Sequence, residues 1–182
     1  MTITRYAQWS GIGLALLFLA TGCAGSAGSA KHLVAGPEAE TLARYTKVSL
    51  STTAQGNAVA MTPADRERIA MLVAGKLVSL APGRFATLAA APTDEQTLTV
   101  TIAFTRYDEG SRFARFMLAG LGQIHIDAQV SLEDRLRDSV LGKSEVTKTF
   151  AWGGIYGGTT SIKDVEEGFA DAVAKVVLGQ PI

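Results

Sequence analysis

The sequence predicts an α+β domain: a two-layer sandwich of a mainly antiparallel sheet of about four strands with two helices on one face, in the order β-α-β-β-β-α. Three observations lead there. Leu98, Val100, Ile102 and Phe104 alternate with Thr99, Thr101, Ala103 and Thr105. Ile124, Ile126, Ala128, Val130 and Leu132 alternate in the same way with polar residues, the period-two pattern of half-buried strands. Two further segments carry apolar residues at helical spacing behind a capping signature. Helices of roughly 17 residues run about 25 Å, enough to cross four strands spaced ~4.8 Å apart.

Thr46 to Thr52 opens the domain as a strand, with Val48 and Leu50 on one face among β-branched neighbours. Thr62-Pro63-Ala64-Asp65 is a helix start: an N-cap threonine, proline in the first helical position and an acid three residues after the cap. Ile69, Leu72, Val73, Leu77 and Leu80 then recur on one side, with Arg66, Arg68 and Lys76 opposite. This gives an amphipathic helix over 62–79, ended by Ala81-Pro82-Gly83. The two alternating strands follow, then a charged turn from Glu133 to Asp138. A third strand runs from about Ser139 to Phe150, and its Lys143 and Lys148 suit a sheet edge. Gly153 to Thr160 reads as a glycine-rich loop. Ser161 and Asp164 repeat the capping signature. Ile162, Val165, Phe169, Val173, Val176 and Val177 then define a last helix to about Leu178, stopped by Gly179 and Pro181.

The N-terminal segment has a different character. Arg5 precedes an apolar run from Gly11 to Ala20, followed by Thr21-Gly22-Cys23. Ten apolar residues are too few to span a bilayer, which takes roughly 20. A short positive start, an apolar core and small residues before a cut site form a cleavable signal. The segment resembles the lipobox of bacterial lipoproteins, with Ala20 where leucine is commonest. That resemblance implies a signal peptide over 1–22 and acyl chains, palmitate among them, on Cys23 as the new N-terminus. With Ala24 following instead of aspartate, it implies an outer-membrane anchor facing the periplasm of a Gram-negative envelope. Several chains hold stably at ~0.8 kcal/mol per buried methylene where one holds marginally.

Residues 24–40 are rich in small residues and read as a flexible tether, in which His32 has no specific role. The expected organisation is a signal peptide at 1–22, a lipidated linker at 23–44 and one domain at 45–182. Basic and acidic residues number 17 each, and the leader contributes only Arg5. A chain so nearly neutral lacks the basic footprint of a nucleic-acid binder and the polybasic cluster of an anionic-lipid binder. One cysteine permits no intrachain disulfide.

Several turns are distinctive. Tyr107-Asp108-Glu109-Gly110-Ser111-Arg112 follows one alternating strand and Gly120-Leu121-Gly122 precedes the next. Val140-Leu141-Gly142 follows the charged turn, and a glycine-rich loop leads into an acid-opened helix. In these features Tyr45 to Leu178 resembles the bacterial lipoprotein family called domain of unknown function 4410. The resemblance implies an architecture and a location, and brings no activity or catalytic residues. The chain departs from the plain Asp-x-x-x-Gly hairpin turn of that family at Glu133–Asp138.

Candidate chemistry is sparse. The loop G-G-I-Y-G-G matches neither phosphate-binding fingerprint, and Asp164, Glu166 and Glu167 would repel an anion there. His125 and Asp127 share the polar face of a strand, but zinc needs a third ligand and the domain has no other histidine. No nucleophile elbow is present. The expectation is no catalytic residue, no metal and no cofactor.

Ser111 to Leu121 is the least ordinary stretch. Phe113, Phe116, Met117 and Leu121 sit at helical spacing beside Arg112 and Arg115. It reads first as a short helix capping the core, and second as an exposed aromatic and arginine patch of interface composition. Candidate contact residues are Arg112, Phe113, Arg115, Phe116, Ile155 and Tyr156. The expected function is a non-enzymatic envelope module that binds a protein partner or its own copies. The alternative is a binding module for a small apolar or amphipathic ligand, in a pocket between helices and sheet near residues 107–122.

Overall fold

The computed structural model describes residues 28–56, 59–85, 87–89, 95–118 and 120–182. The signal peptide, Cys23 and the first residues of the linker lie outside them. In chain order the elements are β1 (Ser29–Val34), α1 (Ala39–Ala43), β2 (Lys47–Ala54), α2 (Pro63–Leu80), β3 (Thr87–Ala89), β4 (Thr97–Asp108), α3 (Arg112–Met117), β5 (Ile124–Asp134), β6 (Ser139–Phe150), α4 (Gly154–Thr159) and α5 (Ile162–Leu178).

The strands form one sheet in the order β1-β6-β5-β4-β2-β3. The pairs β1–β6, β6–β5 and β5–β4 are antiparallel, and β4–β2 and β2–β3 are parallel. The α+β class and the mainly antiparallel sheet therefore stand as expected. The count differs: the described residues form six strands and five helices instead of four and two. The two long helices are those expected, and they pack against each other and on one face of the sheet. Ile69, Val73 and Leu77 of α2 and Val165, Phe169 and Val173 of α5 meet Leu98, Val100, Ile102 and Phe104 of β4. Ile124, Ile126 and Val130 of β5 complete that core. The capping boxes form: Asp65 accepts from the Thr62 N–H at 3.0 Å and Asp164 from the Ser161 N–H at 2.8 Å. Gly179, at φ 66°, ends α5 in the left-handed region.

Four expectations need correction. The tether expected over residues 24–40 already contains β1, which pairs with β6, so the folded body starts near residue 28 and not at 45. The segment SAKHLV has no alternation to announce a strand, and the β6 edge supplies its hydrogen bonds. With β1 outside it, β6 is an inner strand. Its Lys148 points to the helix side and is buried. His32, expected idle, lies 3.0 Å from the Ser144 hydroxyl through Nδ1. The glycine-rich loop is in fact a helical turn, α4, with Gly153 before it extended and Gly154, its first residue, at φ 71°.

In the charged turn Asp138 takes φ 49°, which aspartate tolerates better than most residues. Asp134 is buried and accepts from the Tyr45 hydroxyl at 2.9 Å and from Arg137 at 2.7 Å, tying the turn to the start of β2.

Candidate functional site

The β4–β5 connection and the β6–α5 connection lie at the same end of the sheet, because Asp108 pairs with His125 and Ile124 with Phe150. Each carries a short helix, α3 and α4, and the two pack side by side. Beneath them lies Arg115, fully buried. Its Nε donates to the Gly157 carbonyl at 2.8 Å and its Nη2 to Thr160 at 3.0 Å. Its Nη1 donates to the carbonyls of Glu109 and Gly122, both at 2.6 Å. One guanidinium thus joins the end of β4, the turn before β5 and the C-terminal half of α4. The planar fork of arginine suits this, since its donors reach acceptors in several directions at once.

Two glycines let these segments cross. A Cβ on Gly110, at φ 61°, would run into the carbonyl oxygens of Gly122 and Gln123. One on Gly122, at φ 67°, would meet the Ser111 carbonyl. Gly110→Ala is expected to lower stability by about 2 kcal/mol, from left-handed strain and displaced backbone together. Chemical denaturation of the two proteins side by side checks this, and equal midpoints would disprove the crossing role.

With arginine turned inward, the aromatic residues turn outward. Phe113 is 74% exposed and Ile155 76%, and Phe116, Met117, Leu118, Leu121, Trp152 and Tyr156 are each at least half exposed. Phe116 packs where a side chain on Gly158 would sit, and Tyr156 stacks near Phe150 and Trp152, with ring centroids 5.7 and 6.4 Å away. The first reading of residues 111–121, a helix capping the core with its apolar side, is therefore reversed. An amphipathic period cannot say which side faces inward when only the arginine has buried partners waiting.

Of the residues singled out from sequence, Phe113, Phe116, Ile155 and Tyr156 come together as one exposed surface. Arg112 stands at its rim, paired with Glu109 at 2.6 Å, while Arg115 is structural and faces away from solvent. Sequence reasoning passed over Trp152 and Leu118, both part of the same surface. Near residues 107–122, where a pocket was expected, Arg115 lies buried among the carbonyls it gathers. A groove of about 460 Å³ opens instead at the other end of the sheet, lined by residues of β1, β6 and the C-terminus, among them His32, Ser144 and Ile182.

A second polar cluster joins α2, α5 and β4. Glu166, fully buried, accepts from Arg68 Nε and Nη2, both at 2.7 Å, and from the Tyr107 hydroxyl at 2.6 Å. Arg68 also reaches Asp65 at 2.6 Å. The Thr62 hydroxyl and then Arg68 hold the Asp65 carboxyl down to about 2. Burial, then the bond to Glu166, pushes the Tyr107 hydroxyl well above its ordinary range. Within the cluster Glu166, Tyr107, Arg68 and Asp65 are each engaged by one another.

On the other face of the sheet, His125 lies 3.1 Å from Thr149 and Asp127 stands opposite Arg106. Burial lowers the His125 imidazole and raises the Asp127 carboxyl. Among the described residues no group of three or more histidines, cysteines and acids is placed to hold a metal ion. Among them, too, no helix is long and apolar enough to cross a membrane.

Comparison with known proteins places these features in context. The family model described as "Domain of unknown function (DUF4410)" matches residues 37–154. No curated protein matches the chain. Among solved structures, the PelC dodecamer from Paraburkholderia phytofirmans is similar, with a TM-score of 0.55 and 14% identity. The match covers 82% of this chain and 98% of that one. A single-substitution form of it gives 0.54 and 17%, covering 84% and 98%. A Xanthomonas campestris protein of the family DUF330 gives 0.50 and 10%, covering 74% and 86%. At such identities the likeness is one of fold.

Proposed function

The chain belongs to the family Domain of unknown function (DUF4410), and on that premise we propose that it is a non-enzymatic, self-associating module of the cell envelope. Lipid on Cys23 holds it to the outer membrane, facing the periplasm. One observation carries this reading: the buried charged side chains Arg115, Glu166 and Asp134 are engaged within the chain, while large apolar ones stand in solvent. Catalysis needs groups held ready for a substrate, and an interaction module needs surface.

Support for self-association comes from the sheet edge. β1 is an outer strand, with Leu33 44% and Val34 47% exposed beside Val140 at 61%. An outer strand presents unpaired N–H and C=O groups along which a second copy can add. The similar fold in Paraburkholderia phytofirmans is that of a PelC dodecamer.

Amine crosslinking of the full chain in cells, followed by mass spectrometry, tests the proposal. Lys31 and Lys143, on β1 and β6, are expected to link between copies. Val34→Asp is expected to reduce the linked fraction roughly fivefold by placing a charge at the joint. Recovery of monomer alone under saturating crosslinker would overturn the proposal.

A further inference from the structure

We infer that the exposed apolar surface of α3 and α4 is a second membrane contact, seated at the headgroup–acyl boundary of the same bilayer that holds Cys23. This rests on the lipid-anchor reading above. The first support is the surface itself. Phe113, Phe116, Trp152, Ile155 and Tyr156 stand exposed on or beside the two packed helices, Arg112 is exposed on α3, and Arg115 pins both helices from below. Tryptophan, tyrosine and phenylalanine beside arginine are the residues that settle at membrane interfaces. An exposed apolar surface of this extent marks a contact with another body.

The second support is independent, and comes from where the chain enters the fold. β1 runs antiparallel to β6, so Ser29 pairs with Thr147, close to the end at which β6 leads into Trp152 and α4. The Gly28 N–H donates to the carbonyl of Gly168, in the second turn of α5. Cys23 is five residues before Gly28. Five residues reach at most about 17 Å when fully extended. Along β6 from Thr147, Phe150 at the α4 end is three residues or about 10 Å away, whereas Ser139 at the other end is eight residues or about 26 Å away. A lipid on Cys23 therefore brings the α3/α4 end of the domain to the bilayer, and the apolar surface with it. This favours lipid over a second copy as the occupant, and it leaves the β1 edge free for association in the plane of the membrane.

The lipidated full chain carries its own probe. The sequence has two tryptophans, Trp9 in the leader and Trp152 on this surface, so Trp152 stands alone once the leader is removed. The protein would be reconstituted into phosphatidylcholine vesicles whose acyl chains carry bromine. Trp152 emission is expected to shift to the blue and to be quenched severalfold, equally at low and high salt, because the nearly neutral chain depends on apolar insertion. Phe113→Ser combined with Ile155→Ser changes two side chains outside the core. This variant is expected to sediment with the vesicles through its lipid yet lose most of the quenching.

Vesicle-bound protein with unquenched, red-shifted emission would overturn the inference and leave the anchor standing. Blue-shifted but unquenched emission would assign the surface to a second copy and overturn it as well, as would full quenching in the double variant. Protein that fails to sediment with vesicles would overturn the anchor reading and this inference together.

Discussion

Arg115→Met is expected to destabilise the domain by about 3–5 kcal/mol, because four backbone carbonyls lose the charged donor that joins them. Methionine fills much of the space but donates no hydrogen bond. The buried carbonyls of Gly157 and Thr160 and the part-buried ones of Glu109 and Gly122 would then lose the donors that now reach them. Each stranded acceptor costs about 1–3 kcal/mol, and relaxation keeps the sum below simple addition. At about 2–4 °C per kcal/mol for a domain of this size, the melting temperature should fall by roughly 10 °C or more. Arg115→Lys should recover only a minor part, since an ammonium cannot face acceptors that converge from several sides. Arg112→Ala is the matched control. That side chain is 59% exposed with an exposed partner, and its loss should change stability by less than about 1 kcal/mol. Thermal melts followed by circular dichroism decide the matter. An Arg115→Met protein that melts with the wild type would remove the clamp from the account of this end of the fold.

Arg68→Met is the second large effect, expected at about 2–4 kcal/mol. Glu166 is wholly buried, and Arg68 supplies two of its three hydrogen bonds. Without the guanidinium, the carboxylate keeps only the Tyr107 hydroxyl and stays desolvated. Breaking one side of such a pair usually costs more than replacing both sides. The lower part of the range applies because Arg68 is itself 30% exposed, so water can move in where it leaves. The double variant, Arg68→Met with Glu166→Met, should regain most of the loss. Urea denaturation of the single and double variants forms the cycle. Strict additivity would show that the pair does not act as a unit.

The surface on α3 and α4 depends on the first of these clamps. Two six-residue helices are far too short to be stable alone. Arg115 and the glycine crossing at 110 and 122 give them a fixed place, so that exposed aromatic side chains stand on a firm base instead of collapsing into the core. Loss of Arg115 should therefore disturb the Trp152 environment, since Gly157 lies against both residues.

Much of this protein is written in local pattern. The alternation from Leu98 to Thr105 and from Gln123 to Leu132 appears as β4 and β5 with the expected residues inward. The capped periodic segments appear as α2 and α5, and the turns around Tyr107 and Gly120 pointed to the family whose model matches the chain. Period, caps and breakers act over a few residues, so a single sequence states them plainly. Cys23 belongs to the same class, as a pattern read from its immediate neighbours. Tertiary structure alone decided the rest. SAKHLV became β1 because β6 had an edge to offer, and a strand without alternation has no signal of its own. The amphipathic segment RFARFM could have faced either way. It turned its arginine inward because carbonyls from distant turns converge there and no apolar pocket does, so its phenylalanines were left outside. Burial of a charge depends on partners far away in the chain, and the residues beside it carry no record of them.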